Sequence, residues 1–231
     1  MCDDGHASLR HHRSVTTYSR YLRTIAEGDT VERMAFFSDA VFAIAMTLLV
    51  IEIRVPDVRA DELPQALIEI VPEYLTFALS FAVVGLVWLS HHRKVSAIVH
   101  HDQNLLRLNL LMLLFVASLP LPTAILGRYG DQTAAAVLYA ATVAATGFAL
   151  SSVWMYAWHR GFVRDDITID VFRYVLVQSF PIPGIFLLSI PIALLAGPTV
   201  AEISWLLAIP AAVVIARLSR RRHTTPTLEL A

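Results

Sequence analysis

The sequence predicts an all-α integral membrane protein with six transmembrane helices and both termini in the cytoplasm. Three observations predict it. Of its 231 residues, 56% are hydrophobic and only 16% are charged, a composition that a water-soluble domain of this size rarely shows. Several runs of roughly 17 to 28 residues carry no charge, enough to cross a hydrocarbon layer about 30 Å thick. The basic residues are also sorted between alternate connections. The N-terminal segment through Arg33, the 2–3 connection, the 4–5 connection and the C-terminal end hold 5, 3, 3 and 4 of the 18 Lys and Arg, 15 in all. Arg54, Arg59 and Arg128 make up the other three, on the opposite side. This is the positive-inside pattern for an even number of spans, and an odd number would spoil it.

Residues 1–28 read as a cytosolic polar tail, residues 29–218 as one six-helix transmembrane unit and residues 219–231 as a basic cytosolic tail. The first tail holds His6, Arg10, His11, His12 and Arg13 without an apolar stretch, so it lacks the core of a secretory signal. Asp29 and Glu32 form a capping-box pair, which starts the first span near Thr30, and Pro56 ends it after about Ile53. The second span begins at Pro64, crosses as Tyr74–Ser90 and ends at His91-His92-Arg93-Lys94. The third follows from Asp102 and ends near Pro120 and Pro122. A short polar turn, Arg128–Asp131, leads into the fourth span, Gln132–His159. The fifth, within Tyr174–Ala201, contains Pro181, Pro183, Gly184 and Pro191 and is expected to be kinked or broken. The sixth has a short uncharged core, Ile203–Ala216, and spans only with Thr199–Ala201 at one end and a snorkelling Arg217 at the other.

A net charge of −1 provides no general attraction to nucleic acid, and none is expected as a partner. The single cysteine, Cys2, supports neither a disulfide framework nor a thiolate metal site. His91-His92 and His100-His101 invite a metal reading, but their spacing lacks a helical ligand pattern and a matching carboxylate box. Solvated histidines near the membrane boundary, no cofactor and no enzymatic activity are the expectation.

An ionised carboxylate inside a span costs about 3 kcal/mol or more, so Asp39 needs a partner and a reason. Arg33-Met34-Ala35-Phe36-Phe37-Ser38-Asp39 matches the Arg-x-x-x-Phe-Ser-Asp signature of the transmembrane protein 175 family. The continuation from Ala40 to Glu52, the stretch Trp88-Leu89-Ser90-His91-His92-Arg93, and Leu108-Asn109-Leu110-Leu111 with Pro120 and Pro122 also resemble the family's bacterial members. The resemblance implies a passive, potassium-permeable cation channel of the cell membrane, assembled as a homotetramer in the lipid bilayer. Its pore would be lined by the first helix of each copy, without a carbonyl filter. Ile44, Leu48 and Ile51 would form the constriction, and Thr47 the hydroxyl that bears on selectivity among monovalent cations. The resemblance further implies a polar network of Arg33, Ser38, Asp39, Trp88, Asn109 and either His91 or His92.

Helical geometry adds an independent reading. At about 100° per residue, Arg33, Phe37, Ala40, Ile44, Thr47, Leu48 and Ile51 share one stripe roughly 100° wide, and Asp39 points about 130° from its middle, toward neighbouring helices. Other readings of these residues are that the stripe packs on another helix, that Thr47 bonds back to the carbonyl of Ala43, that Arg33 snorkels and that Asp39 only packs. The alternative function is a secondary transporter built on the proline-broken fifth span. No inverted repeat supports it.

Overall fold

The computed structural model describes residues 31–54 and 56–206. The two tails, the Asp29 cap and most of the sixth span lie outside the described residues. The described chain folds as α1 (Val31–Ile51), α2 (Leu63–Glu69), α3 (Val71–Val95), α4 (Gln103–Ser118), α5 (Pro120–Arg128), α6 (Thr133–His159), α7 (Ile169–Val177), α8 (Pro181–Ala196) and α9 (Pro198–Trp205). Among the described residues five stretches are long and apolar enough to cross a membrane: α1, α3, α4 with α5, α6, and α7 with α8. The protein is a multi-pass membrane protein. Among the described residues the only β-pairing is an isolated antiparallel bridge between Ile98 and Val163.

Proline places the breaks, and in two cases differently from the sequence expectation. The second span is not one helix from Pro64: α2 stops and α3 restarts after Ile70. Pro72 has no N–H to offer the carbonyl four residues back, so the ladder is interrupted there. The third span does not end at Pro120 and Pro122 but runs on as α5 to Arg128. Both prolines sit in the first turn of α5, where a missing N–H costs nothing. The fifth span is broken at Gln178–Phe180, and Pro191 lies inside α8.

The fourth span is the centre of the bundle. Half of its apolar window is buried, against 28% for α1, and α6 packs on α4 and α8 while α1 packs on α3 and α4. Small residues allow this, with Ala135, Ala136, Ala140, Ala144 and Gly147 all buried along α6 so that neighbouring backbones come close. At Gly147 the approach is tightest: a Cβ there would lie 2.8 Å from Pro183 Cβ and Cγ. Because a proline ring on a packed helix cannot swing aside, Gly147→Ala is expected to lower stability by about 1–3 kcal/mol. Thermal unfolding in detergent checks this, and a wild-type midpoint would refute the close contact.

Three polar groups in the core pair with one another. Thr123 Oγ1 donates to the Leu119 carbonyl at 2.8 Å and lies 2.9 Å from Ser80 Oγ, which lies 3.0 Å from Tyr139 Oη. The triad joins α3, α5 and α6 without an exposed polar atom in lipid.

At the end of the bundle that carries the α3–α4 and α6–α7 connections, Asp102 ties two elements. It caps α4 by accepting from the Leu105 N–H at 2.8 Å, accepts from the Tyr156 hydroxyl at 2.7 Å and lies 3.7 Å from Arg160 Nε. The Leu105 amide, then the Tyr156 hydroxyl and the Arg160 charge, hold its carboxyl below the ordinary 3.8. A depressed folded value means the unfolded chain binds the proton first. This contribution is therefore complete above about 3.8 and is lost as pH falls through the folded value. Asp102→Asn retains a capping oxygen but is expected to remove that acid-dependent part. Unfolding midpoints of the two proteins should thus converge on acidification, and parallel curves would count against the assignment.

Candidate functional site: the outer face of α1 and the polar layer behind it

Burial divides α1 into two faces. Met34, Ser38, Phe42, Ala45 and Leu49 are buried, at spacings of four, four, three and four, one side of a helix. Arg33, Phe37, Ala40, Ile44, Thr47, Leu48 and Ile51 are all exposed, with Ile44 at 58% and Ile51 at 71%. Among the described residues no other element covers this stripe, although Ile44, Leu48 and Ile51 are as apolar as any core residue. The Thr47 hydroxyl donates to the Ile44 carbonyl at 2.8 Å, one residue later than the Ala43 partner of the back-bonding reading. With its hydrogen so used, the Thr47 oxygen keeps its lone pairs on the outer side.

Behind the stripe lies a polar layer. The Trp88 indole N–H donates to Asp39 Oδ1 at 2.8 Å, giving the carboxylate a partner from α3. Ser38 donates to the Met34 carbonyl at 2.8 Å, Asn109 Nδ2 donates to Ser38 Oγ at 2.9 Å, and His91 Nε2 lies 3.0 Å from Asn109 Oδ1. Ser38, His91 and Asn109 are each 0 to 2% exposed. These bonds join α1, α3 and α4 at one depth. The His91 ring also packs on Phe42, with centroids 5.4 Å apart.

His92 is exposed and meets the Trp88 ring at 5.7 Å, so of the two histidines it is His91 that turns inward to Asn109. The reading of these histidines as solvated therefore fails for His91. Arg33 and Phe37 lie on the outer stripe. Sequence reasoning also missed Lys94: read as part of a polar helix end, it is 1% exposed and donates to Ser90 Oγ at 3.1 Å. The signal was available. Ser80, Val84, Val87, His91 and Lys94 follow one another at helical spacing, so the apolar inner face of α3 continues through them. Among the described residues no group of three or more His, Cys, Asp or Glu is placed to hold a metal.

Comparison with known proteins gives this arrangement relatives. A family described as "Endosomal/lysosomal potassium channel TMEM175" matches residues 33–120, the stretch holding α1, α3, α4 and the whole polar layer. A Streptomyces collinus protein named as a potassium channel is 39% identical over 140 residues, which cover 58% of this chain and 67% of that one. A Chamaesiphon minutus protein named as a potassium channel is 38% identical over 131 residues, covering 54% of this chain and 64% of its own length. In three dimensions the chain resembles the crystal structure of a lysosomal potassium-selective channel TMEM175 homolog from Chamaesiphon minutus. The TM-score is 0.62 at 30% identity, over 84% of this chain and 98% of that one. The shared helices and sequence establish that the chain belongs to the TMEM175 family.

Proposed function

We propose that the protein is a passive potassium-permeable channel of the cell membrane, a homotetramer whose pore is lined by four copies of α1. The observation that carries the reading is the outer stripe of α1, largely apolar and uncovered by the other described residues, on a chain whose relatives are named potassium channels. In this reading the chain crosses the bilayer six times with both termini in the cytoplasm, and residues 1–28 and 219–231 form cytosolic tails.

Ile44, Leu48 and Ile51 form the constriction. Four aliphatic side chains meeting on an axis repel water, so the closed state is a dewetting barrier. Conduction requires α1 to shift until hydrated ions pass. Thr47 offers the hydroxyl oxygens nearest this gate, and without a ring of carbonyl ligands the preference for potassium over sodium is modest. Arg33, Phe37, Ser38, Asp39, Trp88, His91, His92 and Asn109 position α1 rather than touch the ion. A transporter using the broken fifth span has less support, since Pro183 is packed tightly against the Gly147 position beside that break.

Proteoliposomes under a potassium gradient test the function. Current should reverse at the Nernst potential without a co-substrate, and strictly coupled movement would reject the channel. The gate is tested with Ile44→Cys in a Cys2→Ser background, where a small charged thiol reagent should block the current. Undiminished current through fully labelled protein would move the gate elsewhere.

A further inference from the structure

The polar layer leaves one buried group unused. Ser38 spends its hydrogen on the Met34 carbonyl, so its oxygen accepts from Asn109 Nδ2. That turns the Asn109 oxygen toward His91, and His91 Nε2 must carry the hydrogen of this bond. In the neutral ring the lone pair is then on Nδ1, which is buried without a partner on a residue 1% exposed. Such an atom is a persistent source of negative potential at low dielectric.

His91 lines a crevice of about 320 Å³ between the first half of α1 and the end of α3. Glu32 and Asp39 also line it, both from α1, while Phe36, Val95 and Ile98 supply apolar wall. Asp39 Oδ1 is engaged by Trp88, and among the described residues no hydrogen bond uses its Oδ2. Two carboxylates beside an aromatic and two aliphatic side chains, with the His91 and His92 rings also in the wall, disfavour an anion and suit a cation with an apolar body. The volume lies at the lower end of the range for small-molecule pockets. A bare metal ion is a poor fit, because the described carboxylates and imidazoles do not converge as a ligand set.

We propose that this crevice is a binding site for a small organic ammonium, its charge held by Glu32 and Asp39 and its apolar part against Phe36, Val95 and Ile98. The site lies behind α1 with respect to the stripe of Ile44 and Ile51 and is distinct from the pore. An ammonium group donates charge-assisted hydrogen bonds to carboxylate oxygens, which a quaternary ion cannot. The same chemistry is available from a free amine or from the headgroup of an ethanolamine lipid.

The full-length protein in phosphatidylcholine nanodiscs, titrated calorimetrically with benzylammonium, tests the site. Saturable binding is expected, with little heat from benzyl alcohol of the same shape. Glu32→Gln should weaken benzylammonium about fivefold, the loss of one partly exposed charge pair. Ala35→Phe, which fills the crevice from α1, should abolish binding. Binding by benzyl alcohol as tight as that by the amine, or undiminished affinity in both variants, overturns the proposal. Competition by phosphatidylethanolamine added to the nanodisc would assign the natural ammonium to lipid, and its absence to a free amine, the site standing in either case. Potassium flux of Glu32→Gln, measured alongside, should remain at the wild-type level. Binding is read directly, so its failure leaves the channel reading untouched, and failed flux leaves the site untouched.

Discussion

Ile44→Asn is expected to raise resting potassium flux in proteoliposomes at least tenfold. In the proposed tetrameric pore the wild-type barrier is the cost of wetting a constriction of aliphatic side chains, and four carboxamides at that level would supply both donors and acceptors to water. Each reduction of about 1.4 kcal/mol in a barrier speeds crossing roughly tenfold, and four polar side chains at one level are well able to supply that. Because Ile44 is 58% exposed in the protomer, the substitution removes little core packing and the fold should persist. A leak that is larger but less selective between potassium and sodium fits a hydrophobic gate. Flux unchanged in folded protein would mean that the outer stripe faces lipid.

The second large effect is expected at Asn109. Asn109→Leu strands the Nε2–H of His91 in a buried layer, a loss of about 1–3 kcal/mol for an unpaired polar group. Ser38 also loses its donor, though its own hydrogen remains on Met34. The result should be a lower unfolding midpoint together with altered gating, since α1 is tied to α4 through Ser38 and Asn109. Removing both partners should cost less than removing one: Asn109→Leu combined with His91→Phe leaves no stranded imidazole and should recover part of the stability. Additive losses in that double-mutant cycle would show that the two residues do not act as a pair.

The membrane class and most of the spans were legible in the sequence, because hydrocarbon thickness sets a minimum length and charge is excluded over it. The stripe on α1 was legible too, since a fixed angle per residue decides which side chains share a face. The prolines announced breaks but not their kind. Pro181 ends one helix and begins another, while Pro120 and Pro122 begin α5 without ending the span. Whether a missing N–H breaks a ladder depends on whether its partner carbonyl was going to be used, which is a matter of register.

The chain's own letters determined that it lies in a membrane, which residues of α1 face together and that Asp39 required a partner within the span. Only the tertiary structure decided which partner, Trp88, and which of two adjacent histidines turns inward. Neighbouring residues on a helix point about 100° apart, and the choice between His91 and His92 depends on where α4 brings Asn109. It also decided that Pro183 takes the space Gly147 leaves, because close packing belongs to the surfaces that two helices present to each other and neither sequence segment contains it alone.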